Sequence, residues 1–196
     1  ISAAKNGSDI CKFQTWSENN LKNGVWDEDG RREIYKKAQL SIDDHFFLKE
    51  VCEKNSVQFL TSIFNINDLE FLKDLEMNMI KVPSHEVHNL ELIESTAELY
   101  DTVLVSTGAA RWKEILNITK TKNFHKLLLM HCVSTYPCVP GKINLPRMEK
   151  LKKFSDSVGY SGHYSGIDDA IAAICHGATI VEKHFTINQD LPGRDN

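Results

Sequence analysis

Hydrophobic residues in this chain follow two alternating patterns. Short β-branched or leucine-rich runs occupy residues 9–15, 57–64, 78–86, 102–108, 126–132, 158–163 and 178–186, and read as strands. Between them, helical patterns cover residues 32–38, 41–54, 66–75, 88–99, 110–119 and 145–154, with a helix end at 1–5. An Ala/Ile-rich segment places Ile167, Ala170, Ile171 and Ile174 at helical spacing before the last strand. Ser41 predicts an N-cap with Asp43 and Asp44 in the first turn, and Phe46, Phe47, Leu48 and Val51 predict a buried face for that helix. Residues 16–32 form a long polar loop, a kind of segment that frequently carries function.

Strands alternating with helices at this spacing predict an all-parallel sheet. No G-x-G-x-x-G or Walker motif follows any strand, so nucleotide binding of the Rossmann or P-loop type has no support. The expected fold class is α/β, a (β/α)8 TIM barrel lacking roughly one unit, with residues 1–196 forming one barrel domain.

Composition narrows the classes of partner. The chain has 196 residues, 41% of them hydrophobic, enough for one sizeable core. Lys and Arg number 23 against 27 Asp and Glu, a formal net charge of -4 with no basic block, which excludes nucleic acid as the expected partner. No apolar run reaches the roughly 20 residues of a membrane span, and residues 1–5 lack the core of a signal peptide, so a cytoplasmic protein is expected. Five scattered cysteines without a C-x-x-C read as reduced thiols rather than a disulfide framework or a zinc site. A start on Ile1 and a stop on Asn196 suggest a piece of a longer protein.

In a parallel α/β fold the carboxyl ends of the strands line one edge. Here those ends carry Lys12, Ser62, Lys81, Ser84, Glu86, Ser106, Thr107, Ser134, Tyr136, Ser161, His163 and His184. Taken singly, a hydroxyl there is a strand-end cap, a lysine snorkels out of the sheet, and a histidine is a satisfied structural residue. Together they suggest one mouth. Two lysines among hydroxyls suit a small, highly charged anion carrying carboxylate and phosphate. Two neutral imidazoles suit a divalent metal that polarises a carbonyl oxygen, and Glu86 could move a proton.

The motifs Lys12-Phe13-Gln14-Thr15, Lys81-Val82-Pro83-Ser84-His85-Glu86, Ser106-Thr107-Gly108, His131-Cys132-Val133-Ser134-Thr135-Tyr136-Pro137, Gly159-Tyr160-Ser161-Gly162-His163 and Glu182-Lys183-His184-Phe185-Thr186 resemble the sialic acid synthase family, as does the closing Pro192-Gly193-Arg194-Asp195. The resemblance runs from end to end of the chain. It implies a (β/α)8 barrel followed by an antifreeze-like domain, and a transferase that condenses phosphoenolpyruvate with an N-acylmannosamine-type aldose, splitting the C–O bond and releasing phosphate. By the same resemblance, Lys12, Ser62, Lys81, Ser84, Ser106, Ser134 and Ser161 would hold phosphoenolpyruvate. His163 and His184 would bind a divalent metal, typically manganese, with magnesium or cobalt as substitutes. Glu86 would stand near the reacting carbons, and Tyr136 and Asp195 on the sugar side; Glu86, Lys81, His163 and His184 form the implied catalytic set.

The chain departs from the family pattern in several places. Gly162 stands where many members have Asp, Ser134 where Asn is frequent and Ile63 where Pro is frequent. The family's first strand and its antifreeze-like domain, through which the implied homodimer lends an arginine to the partner's sugar pocket, have no counterpart. Poor activity of the isolated piece is therefore expected. Two other readings fit the same mouth: a pyruvate-using aldolase with Lys12 or Lys81 as Schiff-base lysine, and a non-catalytic barrel that binds a sugar phosphate.

Overall fold

A computed structural model describes residues 1–21, 23–24 and 27–191. Its contacts divide the chain into two compact units, residues 1–77 and 78–196.

In the first unit, β1 (Ile10–Thr15) pairs in parallel with β2 (Gln58–Ile63), Lys12 opposite Leu60 and Gln14 opposite Ser62. Three helices belong to it beside the short α1 (Ser2–Lys5): α2 (Arg31–Ala38), α3 (Ile42–Lys54) and α4 (Leu69–Leu72). The predicted helix 66–75 is interrupted, because 3₁₀ turns at Ile66–Asp68 and Lys73–Leu75 flank α4. Ser41 caps α3 as expected. Its Oγ accepts from the Asp44 N–H at 3.1 Å, while Asp44 Oδ2 accepts from the Ser41 N–H at 2.8 Å, a reciprocal cap worth about 1 kcal/mol.

The expected buried face of α3 is rotated in the structure. Phe46 and Phe47 are exposed, whereas His45 and Cys52 are buried. The cause is a polar contact: His45 Nε2 lies 2.8 Å from Thr15 Oγ1, which lies 2.8 Å from Thr61 Oγ1. His45 Nδ1 donates to the Ser41 carbonyl at 2.7 Å, so Nε2 accepts from Thr15. Turning this ring toward the strands turns its two phenylalanine neighbours away.

The second unit holds five parallel strands in sequence order: β3 (Met79–Val82), β4 (Thr102–Ser106), β5 (Lys126–Cys132), β6 (Ser157–Gly162) and β7 (Ile180–Lys183). Helices α5 (Leu90–Leu99), α6 (Trp112–Ile118), α7 (Arg147–Leu151) and α8 (Asp168–Cys175) separate them. Side chains alternate between the two faces of each strand. Ile80, Val82, Val103, Val105, Leu127, Leu129, Val158 and Tyr160 fall on one face and are buried. That face meets the helices, since the Tyr160 hydroxyl reaches Asp169 of α8.

Three strand ends differ from expectation. Strand β3 stops at Val82, and Ser84–Glu86 is a 3₁₀ turn after it; His163 follows β6, and His184 follows β7. The chain turns at Pro83, whose nitrogen has no proton to donate to a strand ladder. Among the described residues no helix is long and apolar enough to cross a membrane, and the five cysteines are unbridged.

Candidate active site

Strand register places Lys81, Ser106 and Ser161 of the second unit on the face opposite the helices. Cys132 pairs with Ser161, and Ser161 with Glu182, giving one layer across β5, β6 and β7. Ser106 pairs with Met130 one layer below, and Lys81 with Leu104 below that. His163 and His184 follow the strand ends, and His163 Nδ1 lies 3.9 Å from Cys132 Sγ of the top layer.

Lys81 is only 5% exposed, yet its ammonium reaches up through the layers. Its Nζ donates to Glu182 Oε1 at 2.6 Å, and Ser161 Oγ donates to the same oxygen at 3.0 Å. A buried cation is tolerated only when paired. Ser106 is the opposite case: it is 1% exposed, and among the described residues its Oγ has no hydrogen-bond partner. A polar atom buried without a partner commonly marks a place where a ligand or water completes the bonding.

The other hydroxyls converge on Gly108. Its N–H donates to Ser84 Oγ at 3.1 Å. A Cβ at that position would lie 2.6 Å from Ser134 Oγ and 3.0 Å from both Ser84 Oγ and Cys132 Sγ, so only glycine leaves the space. The loop carrying Gly108 is held from α7, where Arg147 Nη2 donates to the carbonyls of Thr107 and Ala110 at 3.3 and 3.2 Å. Burial pushes the Cys132 thiol up, but His163, the Ser84 hydroxyl and Lys81 outweigh it and leave the thiol below its usual range.

Glu86 sits on the turn after β3. Its Oε2 accepts from Asn89 Nδ2 at 3.1 Å, and the Asn89 Oδ1 accepts from the Leu92 N–H at 3.2 Å as the N-cap of α5. The carboxylate is thus aimed by a helix terminus rather than by the strand.

The two imidazoles come together. The ring centroids of His163 and His184 are 5.4 Å apart, and the Tyr136 ring lies 4.1 Å from the first and 6.3 Å from the second. His163 Nδ1 lies 2.9 Å from the Val133 carbonyl and must donate to it, which leaves Nε2 with a lone pair. This backbone-fixed tautomer is the arrangement that metal-binding histidines use. The pair fits a divalent metal as a two-imidazole site. Among the described residues no group of three or more His, Cys, Asp and Glu side chains could hold a metal ion.

Of the remaining candidates, Lys12 and Ser62 belong to the first unit. Their register positions put them on one face, away from Thr15 and Thr61, and Ser62 Oγ donates to the Phe13 carbonyl at 3.4 Å. Asp195 lies outside the described residues.

Glu182 was not among the residues singled out from the sequence. Its signal was available, as a carboxylate inside a β-branched run two positions before a candidate histidine. Asn89 and Arg147, which act through neighbours, carried no such signal.

The model of the NeuB family matches residues 1–196 of the chain. The chain belongs to the NeuB family. It is 33% identical to the N,N'-diacetyllegionaminic acid synthase of Campylobacter jejuni, over 99% of this chain and 63% of that protein. It is also 33% identical to the N-acetylneuraminate-9-phosphate synthase of Drosophila melanogaster, over 81% of this chain and 44% of that one. Among solved structures, the N-acetylneuraminic acid synthetase of Leptospira borgpetersenii, in complex with citrate, superposes with a TM-score of 0.84 at 30% identity, covering 95% of this chain and 65% of that one. A DAHP synthase of Thermotoga maritima, at TM-score 0.70 and 14% identity, shares the fold alone. The fold class is therefore α/β of the (β/α)-barrel type, and the chain spans about three fifths of the length of the synthases it matches first.

Proposed function

We propose that the NeuB chain forms the catalytic part of a nonulosonate synthase, which condenses phosphoenolpyruvate with an N-acylmannosamine-type aldose and releases phosphate. The observation that carries the reading is the inner face of β3–β7, where a buried ammonium, a hydroxyl unpartnered among the described residues and two adjacent imidazoles share one side of one sheet. The names of the similar synthases support the reaction class.

Each group has a role in that reaction. Lys81, Ser84, Ser106, Ser134 and Ser161 would bind the phosphate and carboxylate of phosphoenolpyruvate through charge-assisted hydrogen bonds. His163 and His184 would hold manganese, with magnesium or cobalt as substitutes. The metal would supply Lewis acidity to the aldehyde oxygen of the sugar. Glu86, fixed by Asn89, would move a proton near the reacting carbons, and Tyr136 would pack against the sugar. An aldolase reading is weaker at Lys81. Schiff-base chemistry needs a desolvated neutral amine, and Lys81 is the donor of an ion pair.

The test is phosphate release by the full-length protein given phosphoenolpyruvate, manganese and a panel of N-acyl hexosamines, beside His184→Ala. Release that requires one sugar and metal, and that falls by about 10³-fold or more in His184→Ala, is expected from the loss of several kcal/mol of transition-state stabilisation. Manganese binding without release for any sugar would overturn the reading.

A further inference from the structure

The proposed anion site already contains an anion. Glu182 Oε1 accepts from Lys81 Nζ at 2.6 Å and from Ser161 Oγ at 3.0 Å, and both donors are assigned above to the incoming phosphoenolpyruvate. A carboxylate needed only to hold the sheet could stand on the helix side, where Asp169 pairs with Lys183 at 3.0 Å. On the inner face, with its side chain 21% exposed, it repels a phosphate that approaches the same ammonium, and at reduced dielectric that repulsion is strong.

We infer, on the strength of the phosphoenolpyruvate reading, that Glu182 is the resident counter-anion of the site. It holds Lys81 and Ser161 when the site is empty, yields them to the entering phosphate or carboxylate, and recovers them when product leaves. An unpaired Lys81 in this interior would be an uncompensated buried charge, so the empty site needs the pair. The incoming anion gains only the difference between its own pairing with Lys81 and the pairing it replaces. Glu182 therefore lowers affinity for the substrate anion and, by the same amount of competition, prevents retention of released phosphate.

The experiment is calorimetric titration of the full-length protein, with manganese present, using phosphoenolpyruvate and inorganic phosphate as separate ligands. Glu182→Gln keeps an oxygen that accepts from Ser161 and removes the charge. It should bind both anions about tenfold more tightly than wild type, the value of one charged hydrogen bond that no longer competes for Lys81. In a Lys81→Met background the same change should gain less than about threefold, because residues that act as a pair are not additive. Glu182→Asp, which draws the carboxylate back by one methylene, should fall between, and its tighter binding decides the matter if the glutamine variant does not fold.

Variants with native circular dichroism that bind both anions as wild type does, or more weakly, would overturn the inference. So would an undiminished gain in the Lys81→Met background. Wild-type protein that binds neither anion would overturn the phosphoenolpyruvate reading and this inference together, whereas failure confined to the variants leaves that reading standing.

Discussion

Two lysine–carboxylate pairs lie on opposite faces of the same sheet, and they differ in completeness. On the helix side, Lys183 Nζ donates to Asp169 Oδ1 at 3.0 Å, to Oδ2 at 3.1 Å and to the Tyr164 carbonyl at 2.6 Å, while the Tyr160 hydroxyl donates to Asp169 Oδ2 at 2.9 Å. The Lys183 donors and the Asp169 oxygens are engaged, and burial with the neighbouring Asp169 holds the Tyr160 hydroxyl protonated far above its usual range. On the inner side, Lys81 and Glu182 share a face with Ser106, whose hydroxyl has no hydrogen-bond partner among the described residues. A closed polar network fixes a fold. An incomplete one in the same sheet is where a ligand supplies the remaining bonds.

The largest expected effect tests the closed side. Asp169→Ala leaves Lys183 and Tyr160 without their shared acceptor and should cost about 3 kcal/mol of stability in chemical denaturation, the order expected for breaking a buried pair. A loss under about 1 kcal/mol, the surface-pair range, would erase the contrast between the two faces.

A smaller effect comes from the first unit, whose His45–Thr15–Thr61 chain is also closed. Burial holds the His45 imidazole below its ordinary value of 6.5, so the unfolded chain binds the proton more readily than the folded one. Its contribution to stability is therefore fully present above about pH 6.5 and declines as the pH falls through that value toward the depressed folded one. Denaturation midpoints followed from pH 7.5 to 5 should fall in wild type and fall less steeply in His45→Gln, with other buried histidines such as His131 supplying the rest. Equal slopes would mean that His45 is protonated without cost and its network is open.

The smallest effect on stability belongs to the open side. Ser106→Ala removes a hydroxyl that bonds nothing among the described residues, so stability should change by less than about 0.5 kcal/mol or rise slightly. Its affinity for phosphoenolpyruvate should nonetheless fall by about tenfold, the value of one hydrogen bond to a charged group. A variant that loses stability and keeps its affinity would make Ser106 a structural residue and sharpen the line between the faces elsewhere.

Much of this arrangement is legible in the order of residues. The strand pattern of period two, with a helix after each strand, suffices to place Lys81, Ser106, Ser161, His163 and His184 at the strands' carboxyl ends, because parallel sheets leave few alternatives. The orientation of α3 and α8 is not legible in that way. Phe46 and Phe47 read as part of a buried stripe, yet both are exposed while His45 turns toward the strands; on α8, Ile167, Ile171 and Ile174 recur at helical spacing and are exposed, and Asp169 meets Tyr160 of β6. Helical periodicity reports hydrophobicity alone and carries no term for a hydrogen bond between elements far apart in sequence. Glu182 was missed for the same reason, since its meaning depends on Lys81, a residue 101 positions away.

Gly162 shows what such a network imposes on change over time. A side chain there would begin 2.4 Å from Asp169 Oδ2 and 2.6 Å from the Tyr160 ring, both locked in the closed network. A side chain at 162 is therefore accommodated only if Asp169 and the Tyr160 ring move. A change at 169 or 160 made first opens that space and gives up the hydrogen bond between them, whereas a change at 162 made first strains it. The order of the substitutions, and not only their identity, is written into the contact between a missing side chain and an aspartate seven residues on.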